Sequence, residues 1–518
     1  MKDQFVDEME ETLAEELNVS VTDKGAIGYA TTCKPLLDLN FAVSSLRKLS
    51  EEDVARRFAK AFYENKLLAV KWLFYAADVR GGMGERRLFR VCMGFLAKSE
   101  PAIAEKLLPL VAEYTRWDNL LCLLDTPLKD KVCTLIRKQL DDDLAALKEG
   151  KPVSLCAKWM PSINATSPRS VAYAKMLIHA FGITQKQYRQ ILAQLRAHLK
   201  VVEVDMSQKA WDKIDYSAVP SRANLLYADA FLRNDQQRRE DFLKKVADGE
   251  EKINAGVLFP HDIVHKYTES SGWTVSMRPH DDTLEALWKG LPDYVQGEGN
   301  TICVADGSGS MTVTIPKTNI TCLSVANALA IYFAERCSGP LKDRYITFSE
   351  NPKMVNLSTC KTLHDKIGKA LANSDIGCTN IEAVFNLILA TAVKNKMKQA
   401  DMPKNVLILS DMEFDNCAKS ASFGPAYDIR FQRLFAVFAE RYKQYGYDLP
   451  RLVFWNICSS SMTIPLRENK MGVALVSGFS PAVAKMVLSA KLDPMECLLE
   501  QVNSERYQPV EDAIKAVV

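Results

Sequence analysis

Along residues 50–250, apolar side chains recur at spacings of three and four, as expected for helices that bury one face. The clearest segments are Val54–Tyr63, Leu67–Val79, Leu88–Leu96, Ile103–Tyr114, Val171–Phe181 and Tyr188–Leu199. Short links, several with Pro or Gly, separate them. Helices strung in this way predict stacked pairs as in α-solenoids, with an ordinary helical bundle as the other solution. No fixed period recurs, so any repeats are degenerate. The texture changes across LPDYVQGEGN, which reads as a linker ending at Asn300. Short β-rich runs then alternate with helical ones. The strands are Thr301–Ala305, Tyr345–Phe348, Val355–Leu357, Val406–Ser410 and Leu452–Ile457. The helices are Leu323–Cys337, Leu363–Ala372, Ile381–Lys394 and Phe431–Tyr445. That alternation predicts a mostly parallel sheet wrapped by helices, with ligands at the carboxyl ends of its strands. Pro494–Val518 reads as a closing helix that docks back on the body. The expected divisions are an extension over 1–49, a helical region over 50–295, an α/β domain over 296–493 and a C-terminal helix over 494–518.

Composition narrows the class. A chain of 518 residues holds two or three domains, and 47% apolar residues supply sizeable cores. Lys and Arg number 66 against 64 Asp and Glu, so a nucleic-acid surface has to come from local clustering. The 13 cysteines form no C-x-x-C pair and are odd in number, which points to reduced thiols rather than a disulfide scaffold or zinc ribbon. The acidic N-terminus lacks the basic and apolar regions of a signal peptide, and no apolar run approaches about 18 residues. A soluble, monomeric, cytoplasmic protein is the expectation.

Three loops at strand ends carry oxygen donors. The first strand runs into Asp306-Gly307-Ser308-Gly309-Ser310-Met311, where alternation brings one carboxylate and two hydroxyls toward a common point. A second loop, Ile376-Gly377-Cys378-Thr379-Asn380, opens a helix and offers the Thr379 hydroxyl, and NVLILS ends at Asp411. This set resembles the metal-ion-dependent adhesion site of von Willebrand A domains. The resemblance implies that Asp306, Ser308, Ser310, Thr379 and Asp411 hold Mg²⁺ or another divalent cation, directly or through water. It also implies an open coordination position for a partner's carboxylate. Asn380 stands where an acidic residue is common in that family, which makes the surrounding charge less negative. Two alternatives stay open at this point: a helix cap before Met311, and a motif that has lost its metal.

A second feature is basic. Residues 151–200 hold Lys151, Lys158, Arg169, Lys175, Lys186, Arg189, Arg196 and Lys200, with His179 and His198, and no Asp or Glu. Such a band can hold phosphates, and Trp159, Tyr173 and Tyr188 are interleaved where they could stack on bases. A further cluster, Arg80-Gly81-Gly82-Met83-Gly84-Glu85-Arg86-Arg87-Leu88-Phe89-Arg90, joins two helices, and its glycines would let a phosphate approach backbone amides at a helix start. It is not a Walker loop, because no G-K-[ST] follows. The competing reading is a solvated cationic face, or pairing with acids such as Asp141–Asp143, with the aromatics in the core. His261 and His265 share i,i+4 spacing, but HDIVH lacks the H-E-x-x-H context, so capping or packing suits them better. No nucleophile lies beside a base, and the expectation is that the chain is not an enzyme.

A helical region with a basic band followed by such a domain resembles the Ro autoantigen family. Those proteins join a TROVE module, a ring of HEAT-like helical repeats, to a von Willebrand A domain. GGMGERR, TRWDNLL, KWMPS and LFPHDIV look more closely like an uncharacterised TROVE-related family. The implied fold is α + α/β: a HEAT-like α-helical repeat region, open or closed into a ring, followed by a Rossmann-like von Willebrand A domain. The implied function is a ribonucleoprotein scaffold that binds small structured non-coding RNA (Y RNA-like), misfolded non-coding RNA or single-stranded RNA ends. Charge nominates Lys158, Arg169, Lys175, His179, Arg189 and Arg196 for phosphate contact, then Arg80, Arg86, Arg87 and His261. The alternative function is a metal-dependent protein-interaction module on a helical scaffold, gripping an acidic partner.

Overall fold

The computed structural model describes residues 17–271, 274–295, 300–348, 351–374, 380–415, 434–489 and 491–518. Two compact units share the chain. One is helical and takes residues 51–257, 282–290 and 503–518; the other holds the main sheet and takes residues 1–50, 258–281 and 291–502. Among the described residues, no helix is long and apolar enough to cross a membrane.

In the helical unit, α1 (Glu51–Glu64), α2 (Lys66–Ala77) and α3 (Arg86–Ser99) pack on one another. Three acids in the first turn of α1 suit the positive end of its dipole. Asn65 starts α2 by accepting the Leu68 N–H at 3.0 Å. Residues 69–77 of α2 are buried all round, so this helix is central rather than amphipathic. Next come α4 (Lys129–Lys148), the one-turn α5 (Cys156–Trp159), α6 (Pro168–Ala180) and α7 (Gln185–His198). Pro168 at the first helical position starts α6, and a Thr184–Gln187 capping box starts α7.

The closing segment is divided where the sequence read it as one helix. Pro494–Val502 stays with the sheet unit, whereas 503–518 docks in the helical unit. Two buried charges on α2 explain the docking. Lys71, only 3% exposed, lies 2.7 Å from Glu511 and 2.8 Å from the Asn503 amide oxygen. Asp78, just past α2, accepts the Arg506 guanidinium, the Tyr507 hydroxyl at 3.1 Å and the Arg80 N–H at 2.9 Å.

The sheet unit has six strands: β1 (Thr301–Asp306), β2 (Arg344–Phe348), β3 (Lys353–Asn356), β4 (Asn405–Ser410), β5 (Arg451–Asn456) and β6 (Val473–Ser477). Their order is β6-β5-β4-β1-β2-β3, with every pair parallel except β2–β3. α8 (Pro260–Tyr267) precedes the sheet; α9 (Cys322–Arg336), α10 (Ile381–Lys394) and α11 (Leu434–Gln444) connect its strands. Strands β1, β5 and β6 are buried at every position, which requires cover on both faces. Adjacent residues of β5 show that cover: Phe454 meets Phe435 of α11 at 4.8 Å, and Trp455 meets Phe333 of α9 at 5.8 Å. Successive side chains point to opposite faces, so α9 and α11 lie on opposite sides.

The expected helix Phe431–Tyr445 is described from Leu434 to Gln444; its first residues lie outside the described ones. Residues 17–50 are part of the sheet unit rather than an extension. Tyr29 pairs with Ile464, Gly25 with Asp415, and the buried Asn456 amide donates to the Phe41 carbonyl at 2.9 Å. Residues 258–281 also belong to this unit, although the sequence placed them with the helices.

Replacing Asp78 with Ala strands the guanidinium of Arg506 and the buried Tyr507 hydroxyl together. The expected loss is about 3 kcal/mol, read as a lower denaturant midpoint with an unchanged m-value.

Candidate metal centre and basic surface

β1 and β4 are parallel neighbours, with Ala305 opposite Leu409. That register delivers Asp306 and the Ser410-Asp411 pair to the same carboxyl edge. Asp306 is 1% exposed. Its Oδ1 accepts the Ser308 N–H at 2.9 Å and its Oδ2 the Ser410 hydroxyl at 2.6 Å. The Ser308 and Ser310 hydroxyl oxygens lie 2.9 Å apart, and Ser310 in turn bonds Asp411. Ser308 occupies the cap position of a short 3-10 turn but makes no capping hydrogen bond. The capping alternative therefore does not account for its hydroxyl.

Burial, and then the charge of Asp411, push Asp306 up to about 7; burial also raises Asp411, against the pull of Ser310 and Lys24. Two carboxylates in one buried spot repel each other, and either a proton or a cation relieves them. Met412, which follows, holds φ at +63°, a left-handed conformation that costs energy in a side chain of this kind. Thr379 lies outside the described residues. Asn380 is described and serves as the N-cap of α10, accepting the Ala383 N–H at 3.0 Å. Among the described residues no group of three or more His, Cys, Asp or Glu side chains converges. The candidate donors are instead two carboxylates with hydroxyls.

Sequence reasoning overlooked two members of this edge. Ser410 is fully buried and is the residue that ties β4 to Asp306. Glu413 accepts the N–H groups of Ser460 and Ser461 and the hydroxyls of Ser459 and Ser461. Burial alone would raise its pKa, but these donors and the Asp23 N–H outweigh it and hold the carboxyl below its usual range. Its spacing of two from Asp411 was the available signal.

The nominated basic residues separate into three groups. Lys175 and His179 on α6, and Arg189 on α7, are exposed, as is Lys186. Others are committed internally. Arg196 donates to the carbonyls of Ala157 and Met160 at 2.9 and 2.8 Å, which ties α7 to α5 and corrects its nomination for phosphate contact. Arg169 remains exposed while donating to the Tyr173 hydroxyl at 2.8 Å, and that hydroxyl reaches Asp125 at 3.2 Å. Lys158 leans over Trp159 at 5.8 Å. The aromatics are likewise occupied: Tyr188 is fully buried, Tyr173 carries Arg169, and Trp159 carries Arg116. None is a bare platform for a base. His261 is 4% exposed, packs on Phe479 at 5.5 Å and belongs to the sheet unit, which removes it from the helical surface. The acids Asp141 and Asp143 do not neutralise the band: Asp141 pairs with Arg137, and Asp143 accepts from Ser154 and Gln139.

The glycine run also differs from expectation. The amides of Gly82, Met83, Gly84 and Glu85 already donate to the carbonyls of Asp78, Tyr75, Asp78 and Ala76. A Cβ on Gly82 would sit 1.9 Å from the Tyr75 carbonyl oxygen, so glycine is needed there for close packing. These amides do not await a phosphate. Arg86, at the first position of α3, and Arg80 are exposed, and Arg87 is half-buried.

Comparison with known proteins places the chain. Residues 300–516 match a domain of unknown function (DUF7788), and residues 173–300 match a second one (DUF2828). Uncharacterized protein L728 of Acanthamoeba polyphaga mimivirus is 30% identical over 534 residues, covering 95% of this chain and 89% of that protein. The chain belongs to the family of that protein. The crystal structure of the Deinococcus radiodurans RO (RSR) protein is similar in extent, covering 92% of this chain and 93% of its own, at 14% identity and a TM-score of 0.36. At that score no residue of one chain can be set against a residue of the other.

Ser410→Ala removes the donor to Asp306 and the acceptor of the Met412 N–H, which lies 3.0 Å away. With both partners buried, stability should fall by about 2 kcal/mol, measured by chemical unfolding.

Proposed function

We propose that this chain is an RNA-binding scaffold, with a helical unit that takes RNA and a von Willebrand A-like sheet unit that holds a divalent cation. The RNA would be a small structured non-coding RNA of the Y RNA kind, or the single-stranded end of a misfolded one. The observation that carries this reading is the acid-free stretch that forms α6 and α7. Lys175, Lys186 and Arg189 are exposed there, and among the described residues none of them forms an ion pair. Exposed cations without acidic partners favour a polyanion and make its binding steeply salt-dependent. The likeness of GGMGERR, TRWDNLL and KWMPS to TROVE-related sequences supports the same reading. HEAT-like stacking of the helices is part of this proposal.

A second reading concerns the sheet unit and is favoured by the paired carboxylates. Asp306, Ser308, Ser310, Thr379 and Asp411 would hold Mg²⁺. All donors are hard oxygens, which suits Mg²⁺ over softer ions. When bound, the cation supplies a Lewis-acidic position that a carboxylate from a partner protein can fill. In this chain Ser410 and the Ser308 amide orient Asp306, while the Glu413 amide steadies Asp411. These are binding roles, and the proposal includes no chemical step.

Filter binding of purified protein to a structured and to a single-ended RNA at two salt concentrations tests the first reading. The expected result is retention that weakens steeply with salt; no detectable binding at the lower salt would remove it. For the cation, thermal unfolding with chelator and with Mg²⁺ should differ, the bound state gaining about 2.7 kcal/mol at a hundredfold excess over Kd. Asp411→Asn should abolish that difference. An Mg²⁺-insensitive wild type would sink the second reading and leave the first standing.

A further inference from the structure

We propose that Arg86 and Arg90, beside the Arg116–Asp118 pair that Trp159 braces, clamp a backbone phosphate of the bound RNA. This site rests on the RNA reading above and locates a contact outside the 151–200 band. Three elements converge to make it. The 3-10 helix Trp117–Leu123 packs against both α3 and α5. Arg86 and Arg90 stand one turn apart on α3, so they share a face, and both are exposed. Among the described residues neither forms an ion pair.

Arg116 caps the 3-10 helix. Its guanidinium lies 3.9 Å from the Trp159 ring centroid and forms a two-point salt bridge with Asp118, Nε donating at 2.8 Å and Nη2 to the other carboxylate oxygen. In a 3-10 helix, side chains three apart eclipse. Asn119 and Cys122 therefore lie along one face. The Cys122 thiol points that face toward α3, lying 3.9 Å from the Arg90 carbonyl. Asn119, 1% exposed, leaves both carboxamide atoms without a partner among the described residues.

The electrostatics agree. Partial desolvation by neighbouring protein atoms, although Arg86 is solvent-exposed, and then the charge of Arg116 lower Arg86 to about 10; Asp118 opposes the shift, and Arg90 and Arg222 add to it. Arg116 is already paired with Asp118, and Arg86 and Arg90 are the guanidiniums left without an acid among the described residues. Their planar forks fit phosphate oxygens two at a time, which an ammonium cannot do. The face of Trp159 is taken by Arg116, so the contact reads the backbone and not the base.

The test uses the full-length protein, a fluorescein-labelled single-stranded oligouridylate, and anisotropy across a salt series. Arg86→Gln with Arg90→Gln should weaken binding by about tenfold or more and flatten the salt slope by roughly 1.4, two contacts of 0.7 each. Arg90→Lys keeps the charge without the fork and should still lose affinity, with an unchanged melting temperature showing that the fold is intact. An oligoadenylate should bind the wild type as well as the oligouridylate does. Full affinity in the double variant, with a wild type that binds RNA, would overturn the clamp and spare the RNA reading. A wild type that binds neither oligomer removes both. Displacement by millimolar uridine monophosphate would make this a mononucleotide site and also overturn the proposal.

Discussion

The constraint on which the sheet unit turns is the burial of two carboxylates at one strand edge. Parallel pairing in register sets Asp306 level with Ser410 and brings Asp411, one residue further, to the same strand edge, where water is scarce. Two like charges placed there raise the free energy of the fold unless something answers them. Part of the answer is local: Ser410 and the Ser308 amide serve Asp306, while Ser310 and the Glu413 amide serve Asp411. What these donors leave unanswered is charge, and the left-handed Met412 beside Asp411 shows backbone strain held at the same edge. Strain and uncompensated charge at one spot are what binding sites tend to store and general packing tends to remove.

The helical unit treats its cations in two ways. Several are tied into the structure. Lys71 and Arg506 secure residues 503–518, Arg196 straps α7 to α5, and Arg239 is fully buried with its guanidinium near Tyr216 and Phe231. Arginine suits this use because it offers several donors and lies flat on aromatic rings. Others are left outward on α6, α7 and the start of α3. A count of Lys and Arg along the sequence cannot separate these uses, since both kinds lie within a few residues of each other.

Much of the architecture could be read from periodicity. The strands Thr301–Ala305, Val406–Ser410 and Leu452–Ile457 were visible as apolar runs, because strands covered on both faces need apolar residues at every position. The helices over 54–63, 171–181 and 188–199 were visible because each buries one stripe. Val355–Leu357 was seen as a strand, but its antiparallel placement at the edge was not, because local pattern carries no pairing direction. The donors Asp306, Ser308, Ser310 and Asp411 could be named from D-x-S-x-S and a later strand-end Asp. Ser410 could not, because a buried serine has no local mark that reveals its partner, and Glu413 carried only its spacing of two from Asp411.

Composition and spacing by themselves determined that a helical region precedes an α/β one, that oxygen donors sit at strand ends, and that residues 151–200 carry unbalanced positive charge. These properties are local, and local sequence encodes them. Only the tertiary structure decided that residues 17–50 and 258–281 join the sheet while 503–518 joins the helices. It also decided that Arg196 and His261 are committed to packing, that the glycine-run amides are already bonded, and that Arg86, Arg90 and Arg116 come together. Each of those outcomes depends on contacts between residues far apart in sequence, and no short window of the chain contains both partners.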